Sequence, residues 1–282
     1  MVGINPKAIY TIAKKEFLDS IRNKWIIFLT LIFVILIIVF SYVAGGPGGD
    51  LLGDIESTAI FMTGVTSLLI PLIAIILGFA TISGEAESGA LYVVLSYPVR
   101  RIEILLGKLI GLGSVISVSI LIGFGIGGSV IALTSGIDSI ANYISFIFLS
   151  IFMGFIYLSL AILGSAISKT RTRSIGFGLL TFFWAMIYGT VIFAVLYATG
   201  NSFENMPDWF FNSVVFSPAD MHQTAVMRVF GITEINMGMG PGPGLSFAIP
   251  EFLSLGLLLT AHTIWLIVPL SLAYYFFKKR DI

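Results

Sequence analysis

Six charged side chains lie close together in a chain that is otherwise poor in charge. They are Glu85, Glu87, Arg100, Arg101, Glu103 and Lys108, and long apolar runs precede and follow them. Carboxylates can pair with ammonium and guanidinium groups, and two carboxylates can also act as acid and base in hydrolysis. The apolar runs have no acidic or basic residue away from their ends, which disfavours a hydrolase and an ion-coupled carrier. We therefore predict no catalytic residues and assign this cluster to ion pairing or to contact with a partner protein.

A second group of candidate ligands, Met221, His222 and Met227, follows later in the chain. Thioether and imidazole groups suit Cu(I). We favour the alternative that Met221 and Met227 pack an apolar helix face, and we predict no metal site. The absence of cysteine excludes disulfides and thiolate ligands. One more titratable group, His262, lies within an apolar run, where hydrogen bonding to a Ser or Thr of a neighbouring helix is favoured over proton relay.

The glycine pattern at residues 123–128 matches the nucleotide-binding fingerprint G-x-G-x-x-G. That fingerprint requires a preceding strand and a following helix, whereas these glycines lie within an apolar run. Gly123 and Gly127 also form a small-xxx-small pair, which allows two membrane helices to approach closely. The pattern therefore predicts helix packing. No G-x-x-x-x-G-K-[ST] motif occurs, so we expect no ATP site in this chain.

The elements that position these residues follow from the composition. Hydrophobic residues make up 57% of the chain and charged residues 11%, whereas charged residues are about a quarter of a soluble domain. A spanning helix needs about 20 mostly apolar residues. Six stretches qualify, at 25–44, 58–82, 105–134, 143–168, 175–199 and 252–277. The sequence predicts an all-α integral membrane protein with six transmembrane helices.

The distribution of Lys and Arg predicts the orientation. Fourteen of the 15 basic residues lie before the first predicted span, between spans two and three, between spans four and five, or after span six. Arg228 is the exception. By the positive-inside rule, both termini are cytoplasmic in a multi-pass protein of the cell membrane.

Three helices are predicted outside the spans. Residues 1–24 contain a cytoplasmic amphipathic interfacial helix that Asn5 caps and Pro6 opens. The loop at 83–104 contains a cytoplasmic coupling helix. After its apolar turns at 89–95, we expect a helix to restart at Pro98. The external segment at 200–250 contains a helix that Ser217 caps and that covers the mouth of the bundle, followed by a flexible loop at 237–244. We predict that this helix is an external gate or a contact for an external partner, and a static lid is the alternative. Its polar contacts would be Asp220, His222 and Arg228.

The order of charges and glycines in the loop resembles the signature of type-2 ABC exporter permeases, and the whole chain is most similar to the NosY-type permeases. The matching positions are Gly84, Glu85, Glu87, Gly89, Leu91, Leu95, Ser96, Pro98, Val99, Arg101, Leu105, Gly107 and Lys108.

The resemblance implies a non-catalytic permease subunit of an ATP-driven exporter, with a permease domain at 25–282. Two copies would form the pathway as a homodimer in the lipid bilayer, and a separate P-loop subunit would bind ATP and Mg. The six charged residues first described would contact that ATPase or brace the coupling helix by ion pairing, and a solvated loop is the alternative. Some members of the family work with an external partner for copper or sulfur delivery. An ion-coupled secondary carrier and a membrane anchor of an external complex are the competing functions, and no nucleic acid is expected.

Overall fold

The computed structural model describes residues 4–45, 55–134, 140–201, 206–236 and 246–280. Six long helices form the bundle: α2 (Lys24–Gly45), α3 (Ile55–Gly78), α6 (Arg101–Thr134), α7 (Ile140–Ile167), α8 (Arg171–Ala198) and α11 (Leu255–Lys279). The shorter helices are α1 (Pro6–Ile21), α4 (Ser83–Glu87), α5 (Ala90–Ser96), α9 (Asp208–Asn212) and α10 (Pro218–Val229). A small antiparallel ribbon pairs β1 (Glu234–Asn236) with β2 (Ser246–Ala248). The predicted loop at 237–244 lies outside the described residues.

The long helices have the length and composition of membrane spans. Within the described residues, five helices qualify individually, and the bent pair of α1 and α2, which meet at 74°, gives a sixth. The 22 residues of α2 extend about 33 Å at 1.5 Å per residue, enough for a hydrocarbon core of about 30 Å. The prediction of an all-helical integral membrane protein is confirmed, with five to six candidate spans.

Helix α7 is the centre of the bundle. It contacts α3, α6, α8, α10 and α11, and its buried residues include Phe146, Met153 and Tyr157. By contrast, α8 and α11 expose apolar side chains such as Leu180 and Ile264. The peripheral helices thus present the apolar surface that a bilayer requires.

Glycines in α6 allow two other helices to approach closely. A Cβ atom at Gly123 would lie 2.7 Å from the Phe33 ring, and one at Gly127 would lie 2.6 Å from the Ser41 hydroxyl, both on α2. Nearer the start of α6, a Cβ at Gly111 would lie 2.5 Å from the Ala13 carbonyl oxygen of α1. The interpretation of residues 123–128 as a packing motif within a helix is therefore confirmed.

The loop between α3 and α6 differs from the prediction in one respect. We expected a helix to restart at Pro98, and this is wrong, because α6 begins at Arg101. Tyr97 is extended, with φ −81° and ψ 157°, as the residue before a proline tends to be. The Glu103 carboxylate then accepts a hydrogen bond from the Arg100 backbone N–H at 2.9 Å. That bond satisfies one of the free donors at the start of α6.

Helix α10 was predicted to cover the mouth of the bundle, but it lies deeper between the long helices. Its Ser217 cap is confirmed, since the Ser217 hydroxyl accepts from the Asp220 N–H. The His222 ring, however, contacts the Ser150 hydroxyl at 3.2 Å, and Ser150 is about 15 Å along α7 from Ile140 at 1.5 Å per residue. Trp265, well within α11, donates to the Val215 carbonyl at 2.8 Å. The segment from α9 to α10 therefore inserts between the long helices α7 and α11, and we call it the re-entrant segment and this half of the molecule the re-entrant end.

Candidate functional site

The opposite end of the molecule carries the first turn of α6 and the last turn of α11, and we call it the basic end. There a buried ion cluster joins three helices, α1, α4 and α6. The Lys108 ammonium lies 2.9 Å from a Glu16 carboxylate oxygen and 2.8 Å from one of Glu85. Lys15 contacts the same two oxygens at 3.1 Å and 3.4 Å. The Lys108 side chain is 2% exposed. The cluster thus ties the charged loop, through α4, to both α1 and α6.

The charges in this cluster balance, which explains why it tolerates burial. Two carboxylates meet two ammonium groups, and a buried charge is stable only when it is paired and hydrogen-bonded. Burial raises the pKa of Glu16, but the charges and hydrogen bonds of Lys108 and Lys15 outweigh it and lower the pKa overall. Glu16 and Lys15 were not among the predicted site residues. Their position on one turn of an amphipathic helix was the available signal, but sequence alone does not show which side of α1 meets α6.

Two other predicted carboxylates fasten helix ends. Glu103 accepts the Asn5 backbone N–H at 2.7 Å, which attaches the start of α1 to the start of α6. Glu87 accepts the Arg171 backbone N–H at 2.8 Å, which attaches α4 to the start of α8. Both therefore stabilise the basic end from within this chain.

Arginines at the basic end bind main-chain carbonyl groups. Arg101 donates to the carbonyls of Lys278, in the last turn of α11, and of Arg280, its C-cap, at 2.8 Å and 2.9 Å. Arg280 in turn donates to the Ser168 carbonyl at 3.0 Å, after α7. The free carbonyls at helix C-termini favour such cations. The start of α6 and the ends of α7 and α11 are thus held together.

The exposed part of the charged loop is helix α5 and the residues after it. Tyr92, Val93 and Tyr97 are 57%, 62% and 64% exposed, and Arg100 is also exposed. We call these four residues the α5 surface. Among the six charged residues first considered, Arg100 and Glu87 are exposed, while Glu103 and Lys108 are buried. The sequence analysis missed the three apolar members, because in so apolar a chain an aromatic residue does not stand out.

A second polar cluster lies at the re-entrant end. His222 is fully buried, so it cannot contact an external partner in this conformation. Burial and the nearby His262 lower the pKa of His222 to about 3, which favours the neutral ring. His262 Nδ1 hydrogen-bonds to the Leu258 carbonyl of its own helix at 2.7 Å, and among the described residues it has no bond to a Ser or Thr, contrary to the expectation. Asp220 is partly buried, and burial raises its pKa.

The candidate copper ligands do not converge. Met221, His222 and Met227 are all buried, but successive residues of an α-helix are rotated by about 100°. The three side chains therefore leave α10 in directions about 100° to 140° apart. Met221 and Met227 lie in the apolar core, as the packing interpretation requires.

Arg228, at the end of α10, fastens the chain before α11. Its guanidinium donates to the carbonyls of Ile249 and Leu253, each at 3.1 Å, and to that of Pro250. The planar fork of an arginine can make several such bonds at once. Its role in this structure is therefore to hold the re-entrant segment against the last span.

The bundle of long apolar helices, with a braced charged loop at one end, is the architecture of a multi-pass membrane protein. The family model described as "ABC-2 family transporter protein" matches residues 10–282. The chain belongs to the ABC-2 transporter family. It is 27% identical over 281 residues to the probable ABC transporter permease protein NosY of Pseudomonas aeruginosa, covering 97% of this chain and 99% of the relative. It is 29% identical to the protein of the same name from Stutzerimonas stutzeri, covering 96% and 98%.

Proposed function

We propose that this chain is the permease subunit of an ATP-driven exporter and that the α5 surface docks a separate ATP-binding subunit. The ABC-2 family and the ABC transporter permease relatives support the membrane-subunit role. The observation that carries the docking step is the exposure of Tyr92, Val93 and Tyr97 beside Arg100. Aromatic residues and arginine are enriched in protein interfaces. The basic end is then cytoplasmic, in agreement with its Lys and Arg content.

The ion cluster gives the docked ATPase a mechanical connection to the spans. A force on α5 passes through the short α4, whose Glu85 is held by Lys108. Lys108 is also held by Glu16, so α1 and α6 receive the same displacement. In this mechanism Glu85 and Lys108 transmit force from inside the chain, and the direct contact belongs to the α5 surface.

The partner ATPase supplies the chemistry. ATP and Mg²⁺ bind to its P-loop, and this chain carries out no catalytic step, in line with the lack of a P-loop motif in its sequence. Two permease copies form the pathway in a homodimer, as the family resemblance implies. The apolar faces of α8 and α11 are available to lipid or to the second copy.

The re-entrant segment is proposed as the gate on the external side, where an external partner protein would also act. Arg228 holds it to the chain before α11 through three carbonyl groups. An Arg228→Lys variant keeps the charge but cannot reproduce the fork. If the segment is a gate, transport by this variant changes in rate while folding is retained. Unchanged transport would favour a static lid.

A secondary carrier is the competing function. Proton- and ion-coupled carriers place ionisable residues along their pathway; here one ionisable cluster lies at the basic end, and the other, with Asp220, His222 and His262, lies within the bundle. A membrane anchor is the other competitor, and it would require no ATPase.

The deciding experiment is transport in vesicles that contain this chain with its ATPase. ATP-dependent, vanadate-sensitive transport is expected over candidate substrates, and an ion gradient alone should drive none. A Val93→Ser, Tyr97→Ser variant should insert normally and lose co-purification with the ATPase. The matched control is Tyr10→Ser, because Tyr10 is 67% exposed on α1 and lies outside the α5 surface. Transport by the chain alone in an ion gradient would overturn the proposal.

A further inference from the structure

A cavity of about 160 Å³ lies between α8 and the re-entrant segment. Its lining includes the aromatic residues Tyr188, Phe193, Phe210 and Phe211, the polar residues Ser213, Gln223 and Thr224, and the carboxylate of Asp220. An engineered cavity of about 150 Å³ binds benzene. The space is therefore sufficient for a small organic molecule and too small for an extended chain.

The Asp220 carboxylate has no counter-charge. Its Oδ2 atom is buried and has no hydrogen-bond partner among the described residues. No ammonium or guanidinium group in the described part of the chain forms an ion pair with it; the nearest arginine along α10, Arg228, is directed to main-chain carbonyls. A buried charge is normally paired. The unpaired oxygen can therefore take a proton, a cation or a hydroxyl donor such as Tyr157, whose hydroxyl also has no partner among the described residues.

The walls around Asp220 favour an organic cation. The Phe193 and Phe210 rings lie 5.0 Å apart, and those of Phe210 and Phe211 lie 5.5 Å apart. The Tyr188 hydroxyl donates to the Ser213 carbonyl at 2.6 Å, so it is not oriented toward the carboxylate. Aromatic faces attract ammonium groups and are poor ligands for a hydrated metal ion.

We propose that this cavity binds a small organic ammonium ion, with the Asp220 carboxylate as its counter-ion and the rings of Tyr188, Phe193 and Phe210 as its walls. A ligand in this cavity contacts residues of both α8 and α10, and it therefore links these two helices. The site requires neither ATP nor the partner subunit, and the proposal therefore stands or fails separately from the proposed function.

The test is binding of tetramethylammonium and of choline to the purified chain in nanodiscs, measured by isothermal titration without ATP. Saturable binding is expected for the parent, and Asp220→Asn should weaken it at least tenfold. Asp208→Asn is the matched control: it removes the same charge from the same segment, its side chain is exposed, and it should bind as the parent does. Phe193→Leu, which removes one ring and keeps the charge, should weaken binding less than Asp220→Asn.

Three outcomes would overturn the proposal. The parent and Asp220→Asn could bind the probes equally, or the parent could fail to bind them. Sodium chloride added at the same concentration as the probe could displace the probe completely, which would indicate that the site binds a simple metal cation. A folding defect in Asp220→Asn is detected independently by its thermal unfolding, and the Phe193→Leu variant then supplies the test.

Discussion

At the scale of single residues, two buried charged groups of this chain differ in their partners. The Lys108 ammonium at the basic end is paired within the chain, with Glu16 and Glu85. The carboxylate of Asp220 at the re-entrant end has one buried oxygen without a partner in the described residues. Paired charges hold elements together, whereas an unpaired buried charge is available to a ligand.

Removing Lys108 should strongly destabilise the fold. Lys108→Met leaves the Glu16 and Glu85 carboxylates with only the half-exposed Lys15 as a partner, and breaking a buried pair on one side costs about 3–5 kcal/mol. Asp19→Asn is the control, because Asp19 is 59% exposed and 3.6 Å from Lys15, and an exposed pair contributes about 0–1 kcal/mol. Unfolding in detergent, followed by circular dichroism, gives both values. Equal losses would show that the cluster is not the brace that we describe.

Binding of tetramethylammonium should weaken as the pH falls. Burial raises the pKa of Asp220 above its ordinary value of 3.8, so in the empty site the proton is retained to a higher pH than in the unfolded chain. The contribution of protonated Asp220 to the free energy of unfolding is therefore fully present below pH 3.8 and is lost as the pH rises through the raised pKa.

A bound cation requires the ionised carboxylate, so affinity follows the opposite trend and is lost as the pH is lowered through the raised pKa. The other titratable groups facing Asp220 are Tyr157 of α7 and Tyr188 of α8, and phenols ordinarily titrate near pH 10, outside this range. Titration calorimetry at several pH values measures the slope. Asp220→Asn should show none, and a slope that persists in Asp220→Asn would assign the proton to another group.

At the scale of elements, α6 organises the molecule through its glycines. Its first turns receive α1 at Gly107 and Gly111, and its later turns receive α2 at Gly123 and Gly127. The sequence showed the second pair as a small-xxx-small motif. The first pair lies next to Lys108, and its partner helix could not be read from the chain, because contact between α1 and α6 depends on how the 74° bend between α1 and α2 is directed.

Adding one methyl group at Gly111 should separate α1 from α6. The new Cβ would lie 2.5 Å from the Ala13 carbonyl oxygen and 2.8 Å from the Glu16 Cβ, and overpacking of this kind costs about 1–3 kcal/mol. Gly125→Ala on the same helix meets nothing within 4 Å and should be neutral or stabilising by up to about 1 kcal/mol. The difference in Tm between the two variants measures the effect, and a Gly111→Ala variant as stable as Gly125→Ala would contradict the close approach.

At the scale of the whole molecule, the apolar spans and their approximate limits were predictable because the hydrophobic periodicity and length of a membrane helix are local properties. The capped helix after Ser217 was predictable for the same reason. Its depth was not, since that depends on packing against α3, α7 and α11. Likewise the sequence shows which residues of the loop are charged, but whether each faces a partner or the chain itself is a tertiary property. Lys108 and Arg100, both charged and only a few residues apart, have opposite environments.

Variants of the ion cluster and of the α5 surface should fail in different ways. Glu85→Gln weakens the connection between α4 and α6, so ATP hydrolysis by the bound ATPase should continue while transport per ATP falls several-fold. Val93→Ser, Tyr97→Ser removes the docking surface, so binding, hydrolysis and transport should fall together. Parallel measurements of co-purification, hydrolysis and transport separate the two. If Glu85→Gln keeps full coupling, the loop is only a solvated connection.

The bond between Trp265 and the re-entrant segment makes the protein suitable for spectroscopy. The chain has four tryptophans, and the indole of Trp265 alone among them donates to the Val215 carbonyl within the described structure, at 2.8 Å. Replacement of Trp25, Trp184 and Trp209 by phenylalanine would leave one intrinsic fluorophore at the junction of α11 and the re-entrant segment. Withdrawal of that segment would break the indole hydrogen bond and shift the emission wavelength. Stopped-flow fluorescence could therefore time each opening event without any attached dye.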